Sequence, residues 1–550
     1  MAEDTTAGKL RKRFGQLEQL RNPWESIWSD VTDLVAPRRS NIKGTELAGK
    51  KKGILIYDGT PGQALQLFTD GMHGYLISPA MVWFRLKMAR DKQNDIPEVT
   101  VYLQECEEQM YFAFKRSNFY EEMSEYLYDG GSIGTATMYS EEDLNAGRIV
   151  FSCRHPGEIY IAQNKYGMVD TVFRKFKLSA RNAVDKFGRG KLTPSLLQAY
   201  ENNPYSEFQF IHGIYPNEGR DVTKLDNRNK PFVSVYAQDG AAELCGESGY
   251  DMNPMAVWRY RRNSRETYGR SPAMDAIVEV FGLNQVAKTM MQANQLAVEP
   301  AYNVPKEMRG KVRIGPRGMN YYDETNRMIT PVHNIGNIPA GENQQERLEK
   351  AIEKYFRVDF FMMLSRAAME GRQLTVPQVM EMQGEKGAIL GTTIGRLQGE
   401  CLNPIIDRVF QIENDAGRMP EPPDVLLSEE GEQIDVEYMG PLAQAQKRMF
   451  HSQGIMQGLN SVAPLAELFP EVRDRIDPDV VVEEIFESTG FPQKAIRSRE
   501  DAEEIRAARA EQMRQQALME AAERAAKVAP GLGKKIEGGS PLDMLAGGGE

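Results

Sequence analysis

The chain has 550 residues, 41% of them apolar and 26% charged, with a formal net charge of -11. That length exceeds the ~250–300 residues at which single cores stop growing, so several packed regions are expected. The acidic balance argues against a protein that wraps nucleic acid with its whole surface, because that needs clustered Lys and Arg, but it permits local contacts or a repulsive channel.

The N-terminal region reads as a polar, basic helix over Lys9 to Leu20, interrupted by Asn22-Pro23. A second helix follows, with Trp24, Ile27, Trp28, Val31 and Leu34 on one side and Pro37 at its end. Ile54, Leu55, Ala64, Leu65 and Leu67 continue a helical pattern to a turn at Gly71. Trp83, Phe84 and Leu86 form a short buried strand, and helices resume over Glu98 to Arg116 and Phe119 to Tyr128. From Gly134 to Val235 the period changes to two. Thr135, Thr137 and Tyr139 lead to a hairpin turn at Asn145-Ala146-Gly147. Strands follow around Ile149 and Phe151, over Glu158 to Ala162, Val169 to Phe173, Phe208 to Tyr215 and Phe232 to Tyr236, with a Ser-capped helix over Ser179 to Phe187. This pattern predicts an α+β fold with an antiparallel sheet.

Two proline-free helical rods come next, Ala276 to Glu299 and Gln344 to Phe361, separated by a Pro/Gly-rich stretch too poor in apolar residues to hold its own core. Short strands are expected in that stretch at Lys311 to Ile314 and Met328 to Ile329. Gly371 to Val376 reads as a loop, and a helix starting near Pro377 runs to about Phe410 despite Gly384, Gly387, Gly391, Gly395 and Gly399. Val436 to Tyr438 can add a strand to the earlier sheet. Helices are expected over Leu442 to Met456, Pro464 to Phe469 and Pro478 to Glu487, and a long charged, Ala-rich helix over Pro492 to Ala529 is peripheral or contacts another subunit. The Gly-rich end is expected to be flexible.

The familiar catalytic patterns are present only in outline. Gly130-Gly131-Ser132-Ile133-Gly134 matches GxSxG, but a helix precedes the serine and a strand follows it, the reverse of a nucleophile elbow; a glycine turn ending a helix fits better. There is no GxxxxGK[ST] phosphate loop. His73, His155, His212, His333 and His451 never approach metal-ligand spacing, and the doublets Glu107-Glu108, Glu121-Glu122 and Glu141-Glu142 read as surface pairs. No cofactor is expected. Cys106, Cys153, Cys245 and Cys401 lack CxxC spacing and follow no secretory leader, which fits a reducing compartment, and no apolar run is long enough to span a bilayer. The basic clusters Lys51-Lys52 and Arg259 to Arg262 (RYRR) read first as solvated faces and second as nucleic-acid contacts.

Three runs then acquire meaning by their order: FYEEMSEYLYDGGSIGT over Phe119 to Thr135, YGRSPA over Tyr268 to Ala273, and Leu374 to Val379 with Gly395 to Gln398, Glu400, Leu402 and Pro404-Ile405-Ile406. With the two rods between them, the chain resembles the portal, or head-to-tail connector, proteins of short-tailed bacteriophages over nearly its whole length. The resemblance implies a non-enzymatic 12-subunit ring at the capsid portal vertex of the virion, made in the host cytoplasm. It would conduct double-stranded DNA during genome packaging and ejection. Its partners would be a terminase motor, a tail adaptor, and the major capsid and scaffolding proteins.

The same resemblance implies a wing over residues 1–275, a first stem helix over 276–299, a clip over 300–341 and a second stem helix over 342–364. A channel loop over 365–376, a channel-to-wing helix over 377–410, a wing return over 411–475, a helical crown over 476–530 and a flexible tail over 531–550 complete the chain. Candidate DNA-channel contacts are Arg366, Arg372 and Lys386, and candidate clip contacts are Lys311, Arg313 and Arg317. Where the family has Ala-Thr-Glu at the start of the crossing helix, this chain has Val376-Pro377-Gln378, which keeps the helix start but removes the carboxylate. Other ring-forming virion or tail proteins, and a metal-dependent nuclease, are the alternative readings.

Overall fold

The computed structural model describes residues 6–43, 51–90, 96–304, 338–362, 391–427, 434–439, 477–482 and 499–528, apart from 225 and 242, with isolated positions at 49, 94, 306, 310, 312, 330, 331, 462 and 464. Its first element is a single helix, α1 (Thr6–Leu34), with Pro23 inside it rather than at a break. Proline there removes the amide that would donate to the carbonyl of Gln19 and crowds that carbonyl with its ring, a local cost offset by the burial of Arg21 and Trp28 on either side. Ala7, Leu10, Phe14 and Leu17 recur at helical spacing and bury against Tyr160, Phe173, Ile211 and Val235, while Trp28 and Val31 enter the main core. Arg21 ties the two halves down: its guanidinium donates to the carbonyls of Gly157 (2.8 Å) and Ile159 (3.0 Å) and to Glu25 (2.8 Å).

Helix α2 (Thr60–Leu76) starts later than Ile54 and Leu55, which lie in a turn, and it runs through Gly71. Gly71 is a packing position: a Cβ there would stand 2.2 Å from the Phe361 ring. Strand β1 (Phe84–Met88) forms as expected and buries Phe84, Leu86 and Met88. One edge of β1 pairs antiparallel with β12 (Ile434–Tyr438), from Phe84 opposite Tyr438 to Met88 opposite Ile434. The late strand thus joins β1 and not the larger sheets. The amides on the other edge are capped by side chains: Phe84 donates to Tyr111 Oη (2.9 Å), Leu86 to Glu107 Oε1 (2.7 Å) and Met88 to Asn94 Oδ1 (2.8 Å). Tyr111 and Glu107 come from α3 (Pro97–Arg116), so Glu107 is a structural acceptor rather than a surface residue.

After α4 (Phe119–Ser132) come two antiparallel sheets. The smaller orders its strands β3 (Arg148–Arg154), β2 (Thr135–Asp143) and β9 (Met255–Arg259). The larger is a five-stranded meander of β4 (Ile159–Gln163), β5 (Val169–Ser179), β6 (Glu207–Pro216), β7 (Phe232–Gln238) and β8 (Gly246–Tyr250). The start of α1 covers one face of the meander, and α5 (Ala180–Phe187) with α6 (Pro194–Asn202) brings Ala180, Ala183 and Leu196 against Phe176 and Phe210 in a separate cluster. Ser179 caps α5 as expected, accepting from the amide of Asn182 (3.3 Å). The hairpin of β2 and β3 also forms where expected. Strands β8 and β9 and helix α6 were not legible: β8 is Gly-rich, and all five residues of β9 are buried, so neither alternates.

A short turn, α7 (Pro272–Asp275), leads into the first rod, α8 (Ile277–Val298). Two short strands, β10 (Tyr302–Asn303) and β11 (Thr330–Pro331), pair beyond it. The second rod, α9 (Ile338–Tyr355), starts six residues before the expected Gln344 because Pro339 fits its first turn, and Gly341 lies inside it. Glu279 meets Tyr355, Gly282 meets Leu348 and Met290 meets Gly341, so the rods run antiparallel. The second rod also ends early. Arg357 takes a left-handed conformation (φ 57°), and α10 (Val358–Phe361) turns away to set Phe361 against Gly71, Phe68 and Tyr75.

Residues 391–397 are helical and pass through a π-helical turn (Gln398–Leu402) into α11 (Asn403–Asp415), five residues beyond the expected end. A short turn, α12 (Asp424–Leu427), precedes β12, and α13 (Arg499–Val528) matches the expected charged helix. The side chains of α13 from Ile505 to Glu520 are exposed, and Arg506 forks Asp479 at 2.5 and 2.6 Å.

Burial lifts the Glu107 carboxyl to about 7, against the pull of the Leu86 amide and Arg85. Its neutral form is therefore favoured by folding, and the stability it contributes below about 4.5 is lost as pH rises towards about 7. Glu107→Gln keeps the acceptor for Leu86, so it should flatten the fall in melting temperature between pH 5 and 7.5. An unchanged slope would place that titration elsewhere.

Candidate functional site at the root of the long helices

The described parts of the three runs that carry the family resemblance converge where α8 leaves the body; Leu374 to Val379 of the third run lie outside the described residues. Ser271 caps α7, accepting from the amide of Met274 (3.0 Å), while its own hydroxyl donates to the carbonyl of Ser132 (2.7 Å) at the end of α4. Tyr268 is buried; its hydroxyl accepts from the amide of Ile161 (3.2 Å) and its ring meets Trp28 edge-on at 5.2 Å. Between them the amide of Gly269 donates to Thr135 Oγ1 (2.9 Å). Gly134 has φ +82°, and a Cβ on it would lie 2.5 Å from the carbonyl oxygen of Gly269, while a Cβ on Gly269 would lie 2.2 Å from that of Gly134. The two backbones touch only because neither carries a side chain.

The glycine run before them is helix, not turn, with Gly130 and Gly131 inside α4. A Cβ on Gly130 would meet the Trp258 ring of β9 at 2.1 Å. Ser132 is fully buried and its hydroxyl donates to the carbonyl of Tyr128 (2.7 Å), which leaves it no role as an exposed nucleophile.

Glu400, in the π-helical turn, binds the same hub from the other side. Its carboxylate accepts from the amide (3.0 Å), Nε (3.2 Å) and Nη2 (2.5 Å) of Arg259, which also donates to the carbonyl of Gly167 (3.0 Å). Arg259 is 1% exposed, so the first arginine of the RYRR cluster belongs neither to a solvated face nor to a nucleic-acid surface. Arg261 pairs with Asp275 (2.6 Å), and Arg262 lies over Gly167. Leu402, Ile405 and Ile406 of the same run are core residues. Of the expected surface carboxylates, Glu122 accepts from the amide of Cys153 (2.6 Å) and Glu142 pairs with Arg418 (3.1 Å).

Helix α8, which this hub aims, has only two charged residues in its 22, Glu279 and Lys288. Both are committed within the chain: Glu279 accepts from Tyr355 Oη (3.2 Å) and Lys288 lies over the Tyr57 ring (5.5 Å). Val280, Leu283 and Ala287 face inward, whereas Val278 (74% exposed), Phe281 (48% exposed), Gln285, Gln292 and Leu296 lie on the opposite stripe. A surface helix normally carries its charges on that stripe. Helix α9 does so, with Glu346 and Lys350 paired in the open at 2.6 Å.

The candidate channel contacts Arg366, Arg372 and Lys386, and the candidate clip contacts Lys311, Arg313 and Arg317, lie outside the described residues, as do His333 and His451. Among the described residues no group of His, Cys, Asp and Glu could hold a metal, and no helix is long and apolar enough to cross a membrane. All four cysteines are free thiols. His73, His155 and His212 have local partners in the Tyr120 carbonyl, the Gly157 amide and the Ser234 hydroxyl. Burial and the nearby Arg39 push His155 down to about 4.

Gly134→Ala places an L side chain in a left-handed conformation and against a backbone carbonyl. It should destabilise the fold by about 2–5 kcal/mol, read as a large drop in melting temperature, and a wild-type melt would refute the contact. For Arg259 and Glu400, Arg259→Met or Glu400→Leu alone should cost about 3–5 kcal/mol by stranding the other charge, whereas the double variant should recover much of that loss. Additive losses in the thermal melts would show that the pair is not coupled.

The model of the family described as bacteriophage head to tail connecting protein matches residues 7–496. The portal protein of Salmonella phage epsilon15 is 31% identical over 523 residues, 93% of this chain and 92% of its own length. The probable portal protein of Bordetella phage BPP-1 is 29% identical over 531 residues, 95% of this chain and 94% of its own. On a match of that extent, which takes in both long helices and the hub that joins them to the body, the chain belongs to the bacteriophage head-to-tail connecting protein family.

Proposed function

We propose that the chain is a portal protein: copies of it form a ring at the unique vertex of the phage head, through which double-stranded DNA enters during packaging and leaves during ejection. The observation that carries this reading is the likeness to two portal proteins over more than nine-tenths of each chain. The uncharged outer stripe of α8 supports it, since such a surface is stable once another copy covers it.

In this reading the body built from residues 1–275, with the return over 411–475, is the wing. Residues 276–299 and 342–364, which take in most of the antiparallel α8 and α9, are the stem, with the clip over 300–341 between them. Residues 365–376 form the channel loop, residues 377–410 return from channel to wing, 476–530 form the crown and 531–550 the tail. Arg366, Arg372 and Lys386 meet phosphate briefly in the channel, where a net-acidic chain keeps the duplex from sticking. The clip, with Lys311, Arg313 and Arg317, receives a terminase motor and later a tail adaptor, while capsid and scaffolding proteins surround the ring. Motor work belongs to the terminase, in keeping with the lack of a phosphate loop in this sequence.

Single-particle averaging of the purified full chain should show closed rings with a central hole, twelve copies being the expected number; a monomer at micromolar concentration with scaffolding protein present would overturn the reading. Replacing Arg366 and Arg372 together by Ala should leave the ring intact and change the rate of DNA packaging or ejection. Unaltered DNA passage would remove both from the channel.

A further inference from the structure

Between the basic Lys51-Lys52 and helix α2, the chain forms a strap over Gly53–Asp58 that is lashed to both long helices. Asn284 of α8 holds it twice: its Nδ2 donates to the carbonyl of Leu55 (2.9 Å) and its Oδ1 accepts from the amide of Tyr57 (2.8 Å). Gln345 of α9 donates to Asp58 (3.1 Å), and Lys288 sits over the Tyr57 ring. The strap is therefore fixed, yet two of its three aliphatic side chains face outward, with Ile54 70% and Leu55 66% exposed.

On α8, Asn284 and Lys288 lie at the border between the inward stripe and the outward one, so the strap meets the helix at the flank of the outward stripe, beside Phe281 and Gln285. The outward stripe is uncharged over ~27 Å of helix from Val278 to Leu296, with Gln285 and Gln292 among its apolar members, and the strap adds the exposed Ile54 and Leu55 at its flank. Both charges on α8 are engaged within the chain, so its outward stripe presents no free charge to a charged partner.

Resting on the ring reading above, we infer that this surface is a seam between neighbouring copies of the chain, in which Ile54 and Leu55 are anchors and Asn284 is the residue that positions them. Its length and narrowness match a rod laid alongside, which is what another copy's helix pair supplies. Its lack of self-complementary charge is no obstacle, because neighbours in a ring meet through two different surfaces.

The test compares the full-length wild type with Ile54→Asp/Leu55→Asp, with Asn284→Ala, and with Val222→Asp as a control at a remote exposed valine. Assembly is read by native mass spectrometry and sedimentation. Burying two carboxylates in the seam should raise the concentration needed for rings about tenfold or more, and releasing the strap by Asn284→Ala should raise it less, with the control like wild type. Because the doubly charged variant could fail in folding, hydroxyl-radical labelling of wild-type rings supplies a second measure: Leu55 and Phe281 should be protected. Normal ring formation by both seam variants, or strong labelling of Leu55 and Phe281 in the ring, overturns the seam while leaving the portal reading intact. A wild-type chain that forms no ring overturns both.

Discussion

The carbonyls of Gly134 and Gly269 stand where the other residue's side chain would have to be. This contact sets the exit of α4, the start of β2 and the loop that becomes α8 within one small volume. Ser271, Thr135 and the Arg259–Glu400 fork then hold those pieces by directed bonds. The direction in which the long helices leave the body follows from this packing, because the four-residue turn α7 separates it from α8. Chemistry that looks catalytic in the one-dimensional pattern, the GxSxG serine above all, is consumed in building this joint.

The helix pair divides its labour by charge. Helix α9 carries the Glu346–Lys350 ion pair outward and tolerates water, whereas α8 uses its two charges internally and leaves an uncharged stripe. A solitary molecule would gain nothing from such a stripe, since about 25 cal/mol is recovered for each Å² of apolar surface removed from water only when something covers it. The strap over Gly53–Asp58, more than two hundred residues away along the chain, is tied to the flank of α8 through Asn284, which donates to the carbonyl of Leu55 and accepts from the amide of Tyr57.

Periodicity was sufficient for α3, α4, α5, α8 and the first hairpin, where amphipathic repeats and local turn chemistry coincide. It misled at Pro23 and Gly71, each a local breaker held inside a helix by tertiary packing. It was silent on β9, whose five residues are all buried and so do not alternate. The Arg259–Glu400 pair spans 141 positions, and no local pattern distinguishes an arginine that will be buried from one that will face water. Glu400 did stand within a run that carried the family resemblance, but its partner read as part of a basic surface.

By itself the sequence determined the family, through the order of three motif runs, and the α+β class with two long helices, through repeats that need only neighbours along the chain. Tertiary structure decided where those helices begin and break, which glycines are contacts rather than turns, and which arginine is internal. The physical reason is reach. Helical and strand preferences act over a few residues, whereas a backbone contact at Gly134 or a buried fork at Arg259 exists only after distant segments have been brought within a few ångströms.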